Sequence, residues 1–275
     1  MRNKTLAILF SLLLALVPFL ASPQAVSAQE YHPSVGQEGK DVIWVPTPQE
    51  VIAAMLDMAK VTPNDYVIDL GSGDGRVVIA AAKRGARALG VEYNPDMVQL
   101  SKENAAKEGV AGKATFVNAD IFEFDFSQAT VVTMYLLPSL NMKLRPKILE
   151  MKPGTRIATH AFTMEDWEPD QTAHVDERSA YLWIVPARVE GTWTWQAGAG
   201  NAELTLKQNF QKIQGSLKMD GKETPLQNAK LEGDRISFSA SARQFTGRVN
   251  GNAINGTIKS GSGSEKWSAS RRGGR

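Results

Sequence analysis

"VIDLGSGDGRVVIAAAKRG", residues 67–85, sets an apolar run, three glycines at alternate positions and an Ala-rich helical stretch side by side. A strand ending at Leu70 turns through Gly71, Ser72, Gly73, Asp74 and Gly75 into a helix, so the helix's free N–H groups and positive end face whatever lies above the sheet. Glycine suits both the sharp turn and a close approach of backbone to ligand. Taken alone, the loop also fits a plain strand-to-helix turn. Glu92 narrows the choice: it ends the next apolar run in "GVEYNP", 21 positions after Gly71, where a carboxylate accepts both hydroxyls of an adenosine ribose. The nicotinamide and flavin dinucleotide fingerprint wants its third glycine three residues after the second. Here Arg76 holds that place and the glycine falls at 75, so the spacing points to a different ligand.

Outward from this loop, short apolar runs alternate with helical stretches. Strands are predicted at Tyr66 to Leu70, Ala86 to Val91, Ala114 to Val117, Ala129 to Met134 and Arg156 to His160. Helices are predicted at 75–84, at 95–108 with Asn94 as cap and Pro95 at the first position, and at 139–151. Another helix is predicted at 48–60, with Thr47 as N-cap and Glu50 completing a capping box. Continuously apolar strands separated by helices belong in a parallel sheet covered on both faces, an α/β, Rossmann-like doubly wound domain over 47–188. Segments near 172–176 and 180–186 are predicted to form an antiparallel pair at its edge.

Beyond Gly191 the pattern becomes period-two alternation, as in "AELTLKQNF" and "RISFSASA", with turns read at Asp220-Gly221, Gly233-Asp234, Asn250-Gly251 and Asn255-Gly256. This is a small all-β barrel or sandwich module over 191–270, with Trp193, Trp195 and Trp267 near its two ends and a frayed tail at 271–275. It offers no catalytic constellation. Its tryptophans suit grasping a protein or glycan, and an appendage that only stabilises the chain fits as well.

Before the α/β part, Arg2 and Lys4 precede an apolar run from Leu6 to Ala21 and then "AVSA", which reads as a signal peptide over 1–28 with cleavage after Ala28. An uncleaved anchor is the alternative, although the run is shorter than the ~20 residues that span a bilayer comfortably. The expected location is periplasmic or secreted, without stable membrane insertion after cleavage. Residues 29–46 read as a flexible arm. With no cysteine in 275 residues, disulfides, lipid attachment through cysteine and thiolate metal sites are excluded. A net charge of +2 without basic runs gives no electrostatic support to nucleic-acid binding.

Over residues 40–186 the chain resembles the class I S-adenosylmethionine-dependent methyltransferases: "VIDLGSGDGR" looks like their first motif, "GVEYNP" the second and "FVNADIFEFD" the third, with "ATVVTMYLLPS" where their fourth strand delivers the catalytic loop. The resemblance implies S-adenosylmethionine as cofactor and no metal. It places Gly71, Ser72, Gly73 and Gly75 under the methionine part, Glu92 on the ribose, Asp120 and Ile121 around the adenine, and Asp69 at the loop and amino end. "DLGSGDGR", "YLLPS" and "VPTP" resemble more closely the protein-lysine branch that includes Dot1-like enzymes and the mitochondrial enzymes acting on the ATP synthase c-subunit. The resemblance makes Thr47 a cofactor contact. The Asn-rich stretch of the histone-type relatives is replaced by Tyr135, Leu136, Leu137 and Pro138, and the Asn-Pro-Pro-Tyr type signature of nucleobase enzymes is absent.

The expected reaction is transfer of methyl to a protein lysine amine. Tyr135 and Trp167 would line an apolar channel that favours the neutral amine, and His160 would accept a proton. The alternative from another class is a non-catalytic binder of an adenosine-like ligand or of a cell-envelope protein. Among the bland readings, His160 is a satisfied structural histidine and Trp167 a lid anchor.

Overall fold

The computed structural model describes residues 31–198, 200–261 and 263–273, so the expected signal segment lies outside the described residues. Among the described residues no helix is long and apolar enough to cross a membrane. The α/β part runs α1 (Gln49–Met58), β1 (Tyr66–Leu70), α2 (Arg76–Lys83), β2 (Arg87–Glu92), α3 (Pro95–Lys107), β3 (Ala114–Asn118), β4 (Val131–Met134), α4 (Pro138–Ile148), β5 (Arg156–His160), β6 (Gln171–Val175) and β7 (Arg178–Ile184). Its sheet has the order β3-β2-β1-β4-β5-β7-β6. The first five strands are parallel, and β7 and β6 return antiparallel at the edge, as the short connection after 170 predicts. Chain order reverses between β1 and β4, which opens a crevice above their carboxyl ends.

Local chemistry accounts for the helix starts. Asn94 Oδ1 accepts from the N–H groups of Asp96 and Met97, and Pro95 needs no donor partner there. The capping box expected before α1 does not form: the helix starts one residue later, Pro48 takes the cap position and no side chain caps it. Thr47 is drawn away by a tertiary partner, its Oγ1 lying 3.3 Å from His160 Nδ1.

Nine strands form the second sheet: β8 (Gly191–Ala197), β9 (Gly200–Asn209), β10 (Lys212–Met219), β11 (Lys222–Pro225), β12 (Gln227–Glu232), β13 (Arg235–Ala240), β14 (Arg243–Asn250), β15 (Ala253–Ser260) and β16 (Gly263–Arg271). All neighbours are antiparallel, and the order β11-β10-β9-β8-β16-β15-β14-β13-β12 coils into a nearly closed barrel. β8 and β16 pair at Thr194–Ser270 and Trp193–Arg271. Trp195, Trp267, Phe238 and Phe245 interlock at its centre, with Trp195 and Trp267 ring centroids 4.9 Å apart.

Two readings of this half are corrected. Asn255-Gly256 is no turn: Gly256 pairs with Trp267 inside β15. A Cβ there would meet Thr246 O at 1.8 Å, so glycine answers a close strand approach. The supposed frayed tail begins with Arg271, which ends β16, lies over the Trp193 ring and donates to the carbonyls of Arg188 and Glu190; Arg272 N donates to Thr192 O.

The connection between the sheets is bonded throughout. Gly154 N donates to Val185 O, Ala187 N to Gly233 O and Val189 N to Gln208 Oε1. Gly233, at φ +57, abuts Gly154 so closely that a Cβ would come 2.8 Å from its Cα. A second seam joins the β9–β10 tip to the loop after β5. There Trp167 is fully buried, stacked on Phe210 at 5.6 Å, and Trp183 Nε1 donates to Trp167 O. The channel role expected for Trp167 is therefore overturned: it fills the joint between the two sheets, and of the charges around it in the sequence Glu168 pairs with Lys212 across that joint while Asp166 pairs with Arg145.

Candidate functional site

A cavity of about 360 Å³ lies over the carboxyl ends of β1, β2 and β4. Its floor is the glycine loop. Gly71, Gly73 and Gly75 all have positive φ (+77°, +54° and +82°), a conformation costly for other residues. Their surroundings differ: a Cβ on Gly73 would meet the Trp44 indole nitrogen at 2.6 Å, whereas one on Gly75 would meet the Phe116 ring at 2.8 Å, away from the cavity. Ser72 borders the cavity, but its buried hydroxyl presses on Gly90 of β2 and has no hydrogen-bond partner among the described residues. Its contribution to the cavity wall is therefore mainly backbone.

Two carboxylates set the electrostatics. Glu92, half-buried at the end of β2, accepts from Gly73 N and Asn94 N, both at 2.9 Å, one on each oxygen. Each oxygen keeps a lone pair for a ligand hydroxyl. Asp69 is buried, and among the described residues its carboxyl has one side-chain hydrogen-bonding partner, the Thr133 hydroxyl at 2.6 Å. Burial pushes its carboxyl up to about 7; the Thr133 hydrogen bond opposes this, and the charges of Glu92 and Asp74 add to it.

At the third corner Asp120 Oδ1 accepts from Phe122 N, and Ile121 lines the wall beside it. Lys40 reaches Asp120 from the segment expected to be a flexible arm, and this ion pair, followed by the Phe122 N–H, holds the Asp120 carboxyl below its usual range. That segment instead forms a turned strap, with Gly36 N bonded to Trp44 O and Trp44 N to Gln37 O. Lys40 Nζ also sits 4.8 Å above the Tyr93 ring, and Trp44 covers Gly73. The strap therefore roofs the cavity.

The far end is aromatic and apolar. Tyr135, Leu136 and Leu137 follow β4 onto the wall, joined by Phe162 from the loop after β5, with Tyr135 and Phe162 centroids 6.0 Å apart. His160 does not line the cavity. It is buried behind Tyr135, ring centroids 3.9 Å apart, with Thr47 on its Nδ1. Burial, and next the charge of Arg178, lower its pKa to about 4, so it is a neutral ring at physiological pH. This geometry makes it a support for Tyr135, and its low basicity suits proton acceptance poorly.

Tyr135, Asp69, Glu92, Asp120, Ile121, Thr47, Gly71, Ser72 and Gly73 are thus brought to one cavity, whereas Gly75 does not border it and serves the turn into α2, packed against Phe116 and Ser101. Phe162 escaped the sequence reading, although its place just beyond the carboxyl end of a sheet strand is a usable signal. Lys40 and Trp44 carry no local signal.

S-adenosylmethionine is tested by the donor set. A buried carboxylate that accepts from a hydroxyl on one oxygen fits the ligand's ammonium, and Glu92 fits its ribose. Asp69 then makes binding pH-dependent: affinity should rise about tenfold per pH unit up to about 7 and level off above, where the carboxylate is already ionised. Stability runs the other way. A carboxyl raised in the folded state stabilises most below its ordinary value and loses that contribution as pH rises through about 7. Asp69→Asn should therefore raise the melting temperature at pH 8 more than at pH 5 while weakening cofactor binding; titration calorimetry and thermal melts across pH check both arms.

The ANTKMT methyltransferase domain family matches residues 69–171. A protein-lysine N-methyltransferase of Saccharolobus islandicus is 43% identical over 151 residues, covering 52% of this chain and 94% of that protein. A Rattus norvegicus enzyme, named as the lysine N-methyltransferase of the ATP synthase C-subunit, is 40% identical over 107 residues, 38% of this chain and half of the rat protein's length. Among solved structures, an RNA methyltransferase from Salinibacter ruber in complex with S-adenosyl-L-homocysteine aligns at 47% identity with a TM-score of 0.52, over 53% of this chain and 96% of that one. With the glycine loop, the Glu92 and Asp69 carboxylates and the crevice at the β1/β4 reversal, these likenesses show that the chain belongs to the ANTKMT methyltransferase-domain family and is an S-adenosylmethionine-dependent methyltransferase.

Proposed function

We propose that the protein transfers methyl from S-adenosylmethionine to the side-chain amine of a lysine in a polypeptide, and that it does so outside the cytoplasm. The observation that carries the acceptor is the charge of the cavity: six acidic residues, Glu38, Asp41, Asp69, Asp74, Glu92 and Asp120, border it against two basic ones, Lys40 and Arg76. An ammonium is drawn to such a field and a phosphate backbone is repelled. The mouth is also apolar, with Ile43, Val45, Tyr93 and Leu137 exposed around it. The archaeal lysine enzyme, covered over 94% of its length, supports the same acceptor. The likeness to the Salinibacter RNA methyltransferase favours RNA as the second reading. Export rests on the first 28 residues of the sequence.

The cofactor, when bound, supplies an electrophilic methyl group to an attacking amine. Asp69 would hold its ammonium, Glu92 its ribose hydroxyls, and Asp120 with Ile121 its adenine, where the Asp120 carboxylate now pairs with Lys40. Tyr135, Phe162 and Leu137 exclude water around the incoming amine and disfavour its charged form, so the proton leaves to solvent before attack. Alignment then accounts for most of the acceleration.

Tritium-labelled S-adenosylmethionine and the full chain, incubated with a cell-envelope extract, test this. Label recovered as methyllysine after acid hydrolysis is expected. Label released by ribonuclease would instead establish the RNA reading. Secretion of a reporter fused after residue 28, and its retention when Leu6 to Ala21 is deleted, tests the location.

A further inference from the structure

One segment of the cavity wall is held by the nine-stranded module. After β5 the chain makes a tight three-residue turn: Ala161 sits at φ +63 and Phe162 N donates to His160 O at 2.7 Å. With a positive φ this is the rarer, strained hand of γ-turn. Such a conformation persists when its surroundings over-determine it. Thr159 Oγ1 donates to Phe162 O at 2.6 Å and Asn141 Nδ2 to Thr163 O at 3.1 Å, which fixes the near end of the loop.

The far end is fixed by the β9–β10 tip. Phe210 stacks on Trp167 with ring planes 16° apart, Trp167 Nε1 donates to Gln211 Oε1 at 3.0 Å, and Gln211 Nε2 donates to Glu168 O at 2.7 Å. Lys212 pairs with Glu168, and Arg145, 5.4 Å from the Phe210 ring, donates to Met164 O. Phe210 opens a two-residue hairpin loop, with Asn209 opposite Lys212, at φ +51, a seat that glycine usually takes. Ala161, Glu165 at φ +56 and Phe210 thus place three non-glycine residues at positive φ along one path from the cavity wall to the module. Backbone strain of this kind gathers at functional sites.

We propose that Phe210 and Gln211 are positioning residues for methyl transfer: they hold the 161–168 loop in the shape that keeps Phe162 beside Tyr135, so the module completes the acceptor wall without bordering the cavity itself. This rests on reading the Tyr135 end as the acceptor end, but on neither lysine nor RNA as the acceptor.

The decisive variant is Phe210→Gly in the full chain, which suits the turn's backbone and deletes only the ring; Gln211→Ala is its companion. Hydrogen exchange should show the amides of 162–168 exchanging about tenfold faster, with β1 and β2 unchanged. Cofactor affinity should stay within twofold. The single-turnover rate into the acceptor fraction labelled by the wild type should fall about tenfold with little change in acceptor KM, and Phe210→Tyr should restore both rate and protection. Unchanged loop exchange overturns the proposal. A raised KM at unchanged rate also overturns it, because that marks the module as a recognition surface. If the wild type labels no acceptor, the proposed function fails, while the exchange experiment still decides whether the module holds the loop.

Discussion

Glu92→Ala is expected to weaken S-adenosylmethionine binding roughly 10- to 100-fold, in keeping with the about 1.5–3 kcal/mol of hydrogen bonds to a charged group. Two losses combine. The ribose hydroxyls lose their acceptor, and Gly73 N and Asn94 N, each bonded to one Glu92 oxygen, lose the anchor that shapes the glycine loop. Glu92→Gln separates the two, since its amide oxygen still accepts from one N–H while the charge is gone; it should fall between wild type and alanine. S-adenosylhomocysteine, which shares the ribose, should lose affinity in proportion. Calorimetry with both ligands reads this directly, and an unchanged affinity would remove Glu92 from the ribose site.

Tyr135→Ala is expected to lower the transfer rate about 100-fold, the scale of a 1 Å misplacement of reacting groups, while cofactor affinity moves less than threefold. The ring stands between His160 at 3.9 Å and Phe162 at 6.0 Å, so its loss opens the acceptor end to water and leaves both neighbours without their packing surface. Tyr135→Phe keeps that surface and should retain most of the rate if the ring acts by shape and exclusion. A rate as low as alanine's would show that the hydroxyl takes part. Single-turnover kinetics at saturating cofactor make the distinction.

The strand bounds of β1 and β5 follow from the sequence because continuous apolar runs between helices have few alternatives, and Asn94-Pro95 marks α3 because its cap is local. What escaped is long-range. Thr47 has the residue type of a cap, but His160, 113 positions away, takes its hydroxyl. Trp167 sits among acidic residues that read as a surface loop, and only the fold brings Phe210 onto it. The Phe210–Gln211 turn lacks the glycine or asparagine that betrays a hairpin, whereas Asn255-Gly256 has both and lies within a strand. The cofactor end of the cavity was legible because a loop and the next strand encode it within about 50 residues. Of the acceptor end Tyr135 was legible from its place after the fourth strand, but Phe162 and its support were not, because they come together from β5, the loop after it and the second sheet.

The pairing of β8 with β16 has a consequence for how the chain comes to be folded. Eight of the nine strands can zip to their neighbours as they emerge, each hairpin closing soon after its second strand is made. β8 and β15 keep open edges until Gly263–Arg271 arrives between them, and such edges invite pairing with other chains. The last strand therefore acts as a keystone. Chains cut short before it should aggregate rather than yield a smaller working enzyme.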